Sequence, residues 1–439
     1  MGKGETTLKE MIRPVRLKTV IAASIAVWMV MLSLGSAVVM ADGYQGRPST
    51  ENSLGLQVKA AILIDADSGQ VLYEVNSEEP LPAASMTKLM TEYIVLEEIS
   101  NGRLNWDEVV TTSAEAASTP ADGSSVFLAQ GDQHTVLDLY RAMAVGSAND
   151  ATIALASKIS GSEQGFVTKM NEVADQLGLE TAIFTSATGL SETTVISTAE
   201  MAKLAQIILN QHPEFLEYSK LQEYKFRERD KTAIVNINWM LGTNVNQSGL
   251  KHLAYEGVDG MKTGFINSAG YNFTGTVKRG EQRFISVVMD TATKSARFNE
   301  TAKMYDYGFS TFEKKTVLAP KSVVETMQSV KIKKGKKKSL AVVTDKDITF
   351  MVKKGVEPKI EVQSTDIKPD SELIAPIAAG TVVGTVTYKY TDADTAQELT
   401  RTVNLITNED GEKGGWFRLM FRGIGDFFAG LFNGIVNLF

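Results

Sequence analysis

Ser85 and Lys88, in the run Ser85-Met86-Thr87-Lys88, set a hydroxyl and an amine three residues apart. On a helix that spacing puts both side chains on one face, where a neutral amine can take the hydroxyl proton and leave serine as a nucleophile. The site must then disfavour the ammonium form. The positive end of a helix dipole lowers a lysine pKa, and a second cation nearby lowers it further. Other routes to hydrolysis are closed. No cysteine is present, which removes a thiolate, a disulfide, Cys-ligated zinc and iron–sulfur clusters. His134, His212 and His252 form no pair at metal-ligand spacing and read as a loop residue, a helix C-terminal residue and a surface residue. No Gly-x-Ser-x-Gly elbow serves a Ser-His-Asp hydrolase. Asp392-Ala393-Asp394 lacks the glycine and terminal glutamate of a calcium loop and reads as an exposed turn. No metal and no cofactor is expected.

Ser-x-x-Lys alone is a weak signal, because Ser248-Gly249-Leu250-Lys251 also satisfies it without opening an apolar helix. The first copy has company. Ser147-Ala148-Asn149 and Lys262-Thr263-Gly264 follow Ser85 by 62 and 177 residues, and each occurs once. Taken singly, the first reads equally as a helix N-cap and the second as a turn just before a strand.

The elements that must position these groups are visible in the hydrophobic pattern. Leu56 to Val75 alternates around Asp67-Ser68-Gly69, a hairpin signature. Pro80 and Pro82 break the pattern, and Ser85 opens a helix with Leu89, Met90, Tyr93, Ile94 and Leu96 at helical spacing. Helices are predicted at Thr135–Val145, Ala151–Ser160, Gly165–Leu177 and Ser197–Asn210, and strands at Gly270–Val277 and Arg283–Asp290. Strands at both ends of a helical middle predict an α/β domain whose single sheet draws on both termini.

The 439 residues suffice for two or three domains, and 43% hydrophobic with 22% charged residues is ordinary globular composition. Residues 42–313 form the predicted catalytic domain. Near residue 313 a lysine cluster (Lys331, Lys333, Lys334, Lys336, Lys337, Lys338) is followed by short β-branched runs, predicting a small all-β domain over 314–408. Those lysines read as a solvated edge, with attraction to an anionic wall or membrane as the alternative. A net charge of −7 argues against a nucleic-acid partner.

Five basic residues (Lys3, Lys9, Arg13, Arg16, Lys18) precede an uncharged run from Thr19 to Ala41, so residues 1–41 read as a signal peptide cleaved before Asp42, or as an uncleaved anchor. Either way the body is exported. At the other end, 412–439 is predicted to be an amphipathic helix. Arg418, Arg422, Asp426, Asn433 and Asn437 fall within one quadrant, and its three charges would each cost about 2.5–3.5 kcal/mol at a bilayer centre. An in-plane membrane helix fits this pattern; packing on the body or a dimer seam is the alternative.

The ordered triple of motifs resembles the signature of penicillin-recognising serine acyltransferases. The surrounding sequence is similar to one branch, the low-molecular-mass penicillin-binding proteins that act as D-alanyl-D-alanine carboxypeptidases (peptidase S11), above all in Bacillus-type bacteria. The likeness extends over nearly the whole mature chain. It includes Leu81-Pro82-Ala83-Ala84, Ala187-Thr188-Gly189-Leu190, Asp259-Gly260, Gly275-Thr276 and Tyr307-Gly308-Phe309. The resemblance implies a serine β-lactamase-like catalytic domain, a β-sandwich and a membrane-lying C-terminal helix.

It further implies that Ser85 is the acyl-ester nucleophile and Lys88 its general base. Ser147 would relay a proton to the leaving amine, and Asn149 would bind the substrate backbone while helping to hold Lys88. Lys262 and Thr263 would meet the terminal carboxylate, Gly264 would allow close backbone approach, and the N–H groups of Ser85 and Phe265 would form the oxyanion hole. Arg297 would assist carboxylate recognition, against the alternative of a surface ion pair. The implied substrate is the peptidoglycan pentapeptide ending in D-Ala-D-Ala, with β-lactams as covalent inhibitors, and the implied place is the outer face of the cytoplasmic membrane. Two other readings share the fold: an inactive wall-binding or β-lactam-sensing protein, and a serine β-lactamase. The latter needs a deacylating glutamate, where this chain has Gln206-Ile207-Ile208-Leu209-Asn210.

Overall fold

The computed structural model describes residues 51–120, 124–242, 249–392, 398–421 and 424. The expected leader, Ser248, Ala393, Asp394 and most of the C-terminal tail lie outside them. The early hairpin follows from its alternation. Strand β1 (Ala60–Asp65) leads to β2 (Val71–Val75) through a turn in which the Ser68 N–H donates to the Asp65 carboxylate at 2.9 Å and Gly69 takes a φ of 71°.

The helical middle comprises α1 (Lys88–Ser100), α2 (Val136–Gly146), α3 (Asn149–Ser160), α4 (Glu163–Leu177) and α5 (Thr198–Gln211). The Thr135, Ser162 and Ser197 hydroxyls cap α2, α4 and α5 by accepting a backbone N–H three residues on. Strands β3 (Val258–Ile266), β4 (Gly270–Arg279) and β5 (Gln282–Thr291) follow, then α6 (Ala296–Thr311).

The five strands form one antiparallel sheet in the order β2-β1-β5-β4-β3, so the N-terminal hairpin pairs with the C-terminal meander as the pattern predicted. Both faces are covered. Ala60, Ile62, Ile64, Ile285 and Val287 pack with Met86, Leu89 and Ala205 of the helical layer, whereas Ala61, Leu63, Phe284 and Val288 pack with Phe298 and Tyr305 of α6. At about 1.5–3 kcal/mol per large buried side chain, this two-sided core fixes the strand register. It also leaves β3 on the sheet edge.

Three sequence placements need correction. Ser85 lies in a 3₁₀ turn, Ala84–Thr87, that runs into α1, rather than on the α-helix itself. Lys262-Thr263-Gly264 lies inside β3, not before it; a lysine and a glycine mask strand alternation there. His134 sits in a short strand, Gln133–Thr135, with its ring against Phe226, rather than in a loop.

After α6 the chain enters a β-rich domain. Strands β6 (Phe312–Leu318), β7 (Ser329–Lys331), β8 (Ser339–Thr344), β9 (Ile348–Lys353), β10 (Lys359–Ile367), β11 (Val382–Thr391) and β12 (Glu398–Thr407) make a five-stranded sheet, β7-β8-β12-β11-β10, and a β6-β9 ladder. Phe350, Val342, Val386 and Leu405 lie in their shared core. Lys336 and Lys337 of the basic cluster pair with Glu412 and Glu409. Asp392 is mostly covered and lies 3.5 Å from Lys353, so it is not an exposed turn residue. Residues 416–421 are helical, with Trp416, Phe417 and Phe421 largely exposed. Among the described residues no helix is long and apolar enough to cross a membrane.

The Gln70 side chain ties the hairpin to β9. Its amide donates to the Met351 carbonyl at 2.8 Å and accepts from the Met351 N–H at 3.0 Å, all buried. Gln70→Ala strands both backbone groups and is expected to destabilise the protein by about 1–3 kcal/mol in denaturant titration. A change within error would show that this pair does not couple the two parts.

Candidate active site

Lys88 is fully buried, and its Nζ meets three atoms: Ser85 Oγ at 3.2 Å, Asn149 Oδ1 at 2.7 Å and the Thr188 carbonyl at 2.7 Å. The 3₁₀ turn explains the first contact, since residues i and i+3 eclipse in that geometry. The partner set suits a neutral amine. Asn149 Oδ1 and the Thr188 carbonyl can only accept, whereas the Ser85 hydroxyl can donate. A neutral amine has two N–H bonds for the two acceptors and one lone pair for the hydroxyl. Burial, chiefly, and the charge of Lys262 hold the Lys88 pKa well below the usual lysine range, against an upward pull from Glu92 and Glu163.

The turn carrying Ser85 is held in a strained conformation. Ala84, just before it, has a φ of 50°, unusual for a residue with a side chain. Two glycines press on this turn. A Cβ on Gly189, itself at φ 78°, would stand 1.9 Å from the Ala84 carbonyl oxygen, and one on Gly264 would stand 2.8 Å from that of Ala83. Close approach of the 186–190 segment brings the Thr188 carbonyl to Lys88. Glu163 secures that segment, its Oε1 accepting from Ser186 Oγ and the Ala187 N–H.

The second wall is the α2–α3 junction. Ser147 terminates α2 with a φ of 58°, and Ala148, not Ser147, is the N-cap of α3. The simple N-cap reading of Ser147 therefore fails. Its Oγ is buried and makes no hydrogen bond. Asn149 opens α3, and because its Oδ1 is engaged by Lys88, its NH₂ end is left for a ligand carbonyl. Asp150 then accepts from the Val126 and Leu128 N–H groups and Ser125 Oγ, pinning the 124–128 segment beside the junction.

The third wall is β3. Lys262 and Thr263 are buried, and Thr263 Oγ1 has no hydrogen-bond partner. An edge strand also offers backbone groups to an extended peptide. Phe265 is partly exposed and stacks on Tyr271 at 4.3 Å. Asn272 of β4 ties this strand pair to the segment leading into the Ser85 turn by donating to the Pro82 carbonyl at 3.0 Å. Arg297 of α6 is buried, not on the surface, and its guanidinium donates to the Gly264 carbonyl at 3.3 Å. Among the described residues it makes no ion pair, so the surface-ion-pair reading is set aside.

The structure thus gathers Ser85, Lys88, Ser147, Asn149, Lys262, Thr263, Gly264, Phe265 and Arg297 around one turn. Two hydroxyls without a hydrogen-bond partner and two cations without an ion pair among the described residues form a site suited to a ligand with a carboxylate and polar backbone. The sequence reading missed Glu92, Glu163 and Asp150, which act through burial or backbone contacts rather than through a motif. Gln206 donates its amide to the Ala66 carbonyl at 2.9 Å, on the hairpin side of α5. No group of three or more metal-ligating side chains occurs among the described residues.

A family model described as D-alanyl-D-alanine carboxypeptidase matches residues 47–293, and one described as the C-terminal domain of penicillin-binding protein 5 matches 312–413. The D-alanyl-D-alanine carboxypeptidase DacF of Bacillus subtilis is 35% identical over 376 residues, covering 85% of this chain and 91% of that protein. The crystal structure of penicillin-binding protein 5 from Haemophilus influenzae superposes with a TM-score of 0.67 at 30% identity, covering 84% of this chain and all of that one. Penicillin-binding protein D2 of Listeria monocytogenes in its cefotaxime-bound form gives 0.52 at 33% identity, covering 60% of this chain and all of its own.

Gly189→Ala tests the close approach. The added methyl cannot fit without moving the Ser85 turn or the Thr188 carbonyl, so labelled-penicillin acylation is expected to fall at least about 100-fold, with a loss of about 1–3 kcal/mol in stability. Acylation at the wild-type rate would show that the approach is not required.

Proposed function

Because the chain belongs to the D-alanyl-D-alanine carboxypeptidase family, peptidase S11, we propose that Ser85 is the nucleophile with which it removes the terminal D-alanine from peptidoglycan pentapeptide stems. The observation that carries this assignment is the Lys88 amine, sealed from water between two acceptors and the Ser85 hydroxyl.

Lys88 Nζ takes the hydroxyl proton as Ser85 Oγ bonds to the carbonyl carbon of the penultimate D-alanine. The oxyanion so formed accepts from the N–H groups of Ser85 and Phe265, each worth about 3–4 kcal/mol in related acyl transfer. The C–N bond breaks as Ser147 passes a proton to the leaving amine and takes in its place the one held by Lys88, which is a neutral amine again when terminal D-alanine departs. Water then attacks the ester, giving its proton to Lys88, and Oγ recovers a proton as the shortened stem leaves. Asn149 orients the substrate backbone. Lys262 and Thr263 hold the terminal carboxylate, and Arg297 adds positive charge behind β3.

A β-lactam presents the same carbonyl and carboxylate and forms a slow-turnover ester with Ser85. Residues 42–313 serve as the catalytic domain and 314–408 as a β-sandwich. Residues 1–41 direct export, and 412–439 lies in the outer face of the cytoplasmic membrane; the exposed Trp416, Phe417 and Phe421 support that placement.

Labelled penicillin is expected to form a covalent adduct that Ser85→Ala abolishes, and purified protein is expected to release D-alanine from a pentapeptide. An adduct surviving Ser85→Ala would defeat the assignment. Lys88→Arg, which cannot supply a neutral base, is expected to slow acylation by about 10²–10⁴-fold. The pH dependence follows from the two lysines. Lys88 must be neutral, so activity falls as pH drops through its depressed pKa; Lys262 must be charged, and burial pulls it down to about 8, so activity also falls on the alkaline side. A rate of acylation independent of pH would contradict both roles.

A further inference from the structure

Glu92 lies one helical turn beyond Lys88 on α1 and is 1% exposed. Neither of its carboxyl oxygens meets a donor in hydrogen-bond geometry. The groups facing it are Lys88 from its own helix, Lys262 from β3 and the Tyr140 hydroxyl from α2, which lies beside it but outside normal hydrogen-bond geometry. A carboxyl buried in this way is costly, and packing alone would be served as well by an apolar side chain. None of the steps above uses it.

We propose that Glu92 is a positioning residue for the reaction: a buried counter-charge that holds the proton on Lys262, so that this lysine meets the substrate carboxylate as a cation while Lys88 remains an amine. The inference rests on the roles given to the two lysines above.

Three basic groups, Lys88, Lys262 and Arg297, share this interior, and two cations crowded there repel each other. Attraction to Glu92 is the main influence that opposes the loss of charge by Lys262, ahead of the repulsion from Arg297. The same carboxylate pulls on Lys88, but there the repulsion from Lys262 is the stronger influence. One carboxylate therefore divides two similar lysines, with the proton on Lys262 and not on Lys88. Burial pushes Glu92 itself up to about 7, so its charge is present mainly above neutrality, where Lys262 would otherwise be lost.

The test is the rate constant for acylation of the purified protein by labelled penicillin, followed from about pH 5.5 to 10. In Glu92→Gln the alkaline limb is expected to move about one pH unit lower, so the rate at about pH 9 falls roughly tenfold below wild type while that near pH 6.5 changes little. Glu92→Asp keeps the charge and is expected to keep the wild-type limb. If the Gln variant does not fold, Glu92→Met supplies a neutral side chain of similar volume and is read in the same way. A neutral variant that loses amplitude with its limb unmoved, or a limb displaced equally in the Asp variant, overturns the proposal. Wild-type protein that forms no Ser85 adduct overturns the functional reading instead.

Discussion

The site depends on one buried amine being uncharged. Lys88 Nζ is sealed from water and, among the described residues, has three hydrogen-bond partners, two of which accept hydrogen bonds but cannot donate them. Nζ donates to Asn149 and Thr188 and stands 3.2 Å from Ser85 Oγ, within reach of its proton once the amine is uncharged. Burial supplies the thermodynamic side of the same arrangement by penalising the ammonium. The fold has to bring three separated segments to that nitrogen, and most of its local peculiarities serve this end.

Close backbone approach is the means. Gly189 and Gly264 come against the Ala84 and Ala83 carbonyls respectively, leaving no room for a Cβ at either position. The Ser85 turn is approached closely by the 186–190 segment and by the edge strand, with Ala84 held at positive φ. Such strain persists only where the surroundings over-determine it. Here they include Asn272, bonded to Pro82, and Glu163, bonded to Ser186 and Ala187. The two-sided core of the sheet makes the whole arrangement rigid, because β3 cannot shift without moving β4 and the residues packed on α6.

Charge is divided as carefully as space. Lys88, Lys262 and Arg297 would repel one another in a uniform interior, yet the proposed reaction needs an amine at the first position and cations at the other two. Glu163 and Glu92 approach the cluster from different elements, the former while bonding to backbone and hydroxyl, the latter without a hydrogen bond. The hydroxyls of Ser147 and Thr263 are buried and have no hydrogen-bond partner among the described residues.

The sequence by itself determined the chemistry's ingredients and the sheet's composition. Ser85 and Lys88 carried a mechanism in their spacing, the absence of cysteine and of paired histidines removed its competitors, and alternation in β1, β2, β4 and β5 announced a sheet joined from both ends of the domain. Those signals are local: residue type, spacing and hydrophobic period. What only the tertiary structure decided is non-local. Lys262 and Gly264 break the alternation of β3, so that strand became visible only through its pairing with β4. The cap alternative for Ser147 fell only when Ala148 took that place, and the surface-ion-pair alternative for Arg297 only when α6 was packed on the sheet. Glu92 carried no motif at all. Its significance comes from burial beside lysines 4 positions nearer to the N-terminus and 170 positions further from it, and burial is set by how distant segments pack rather than by any spacing along the chain.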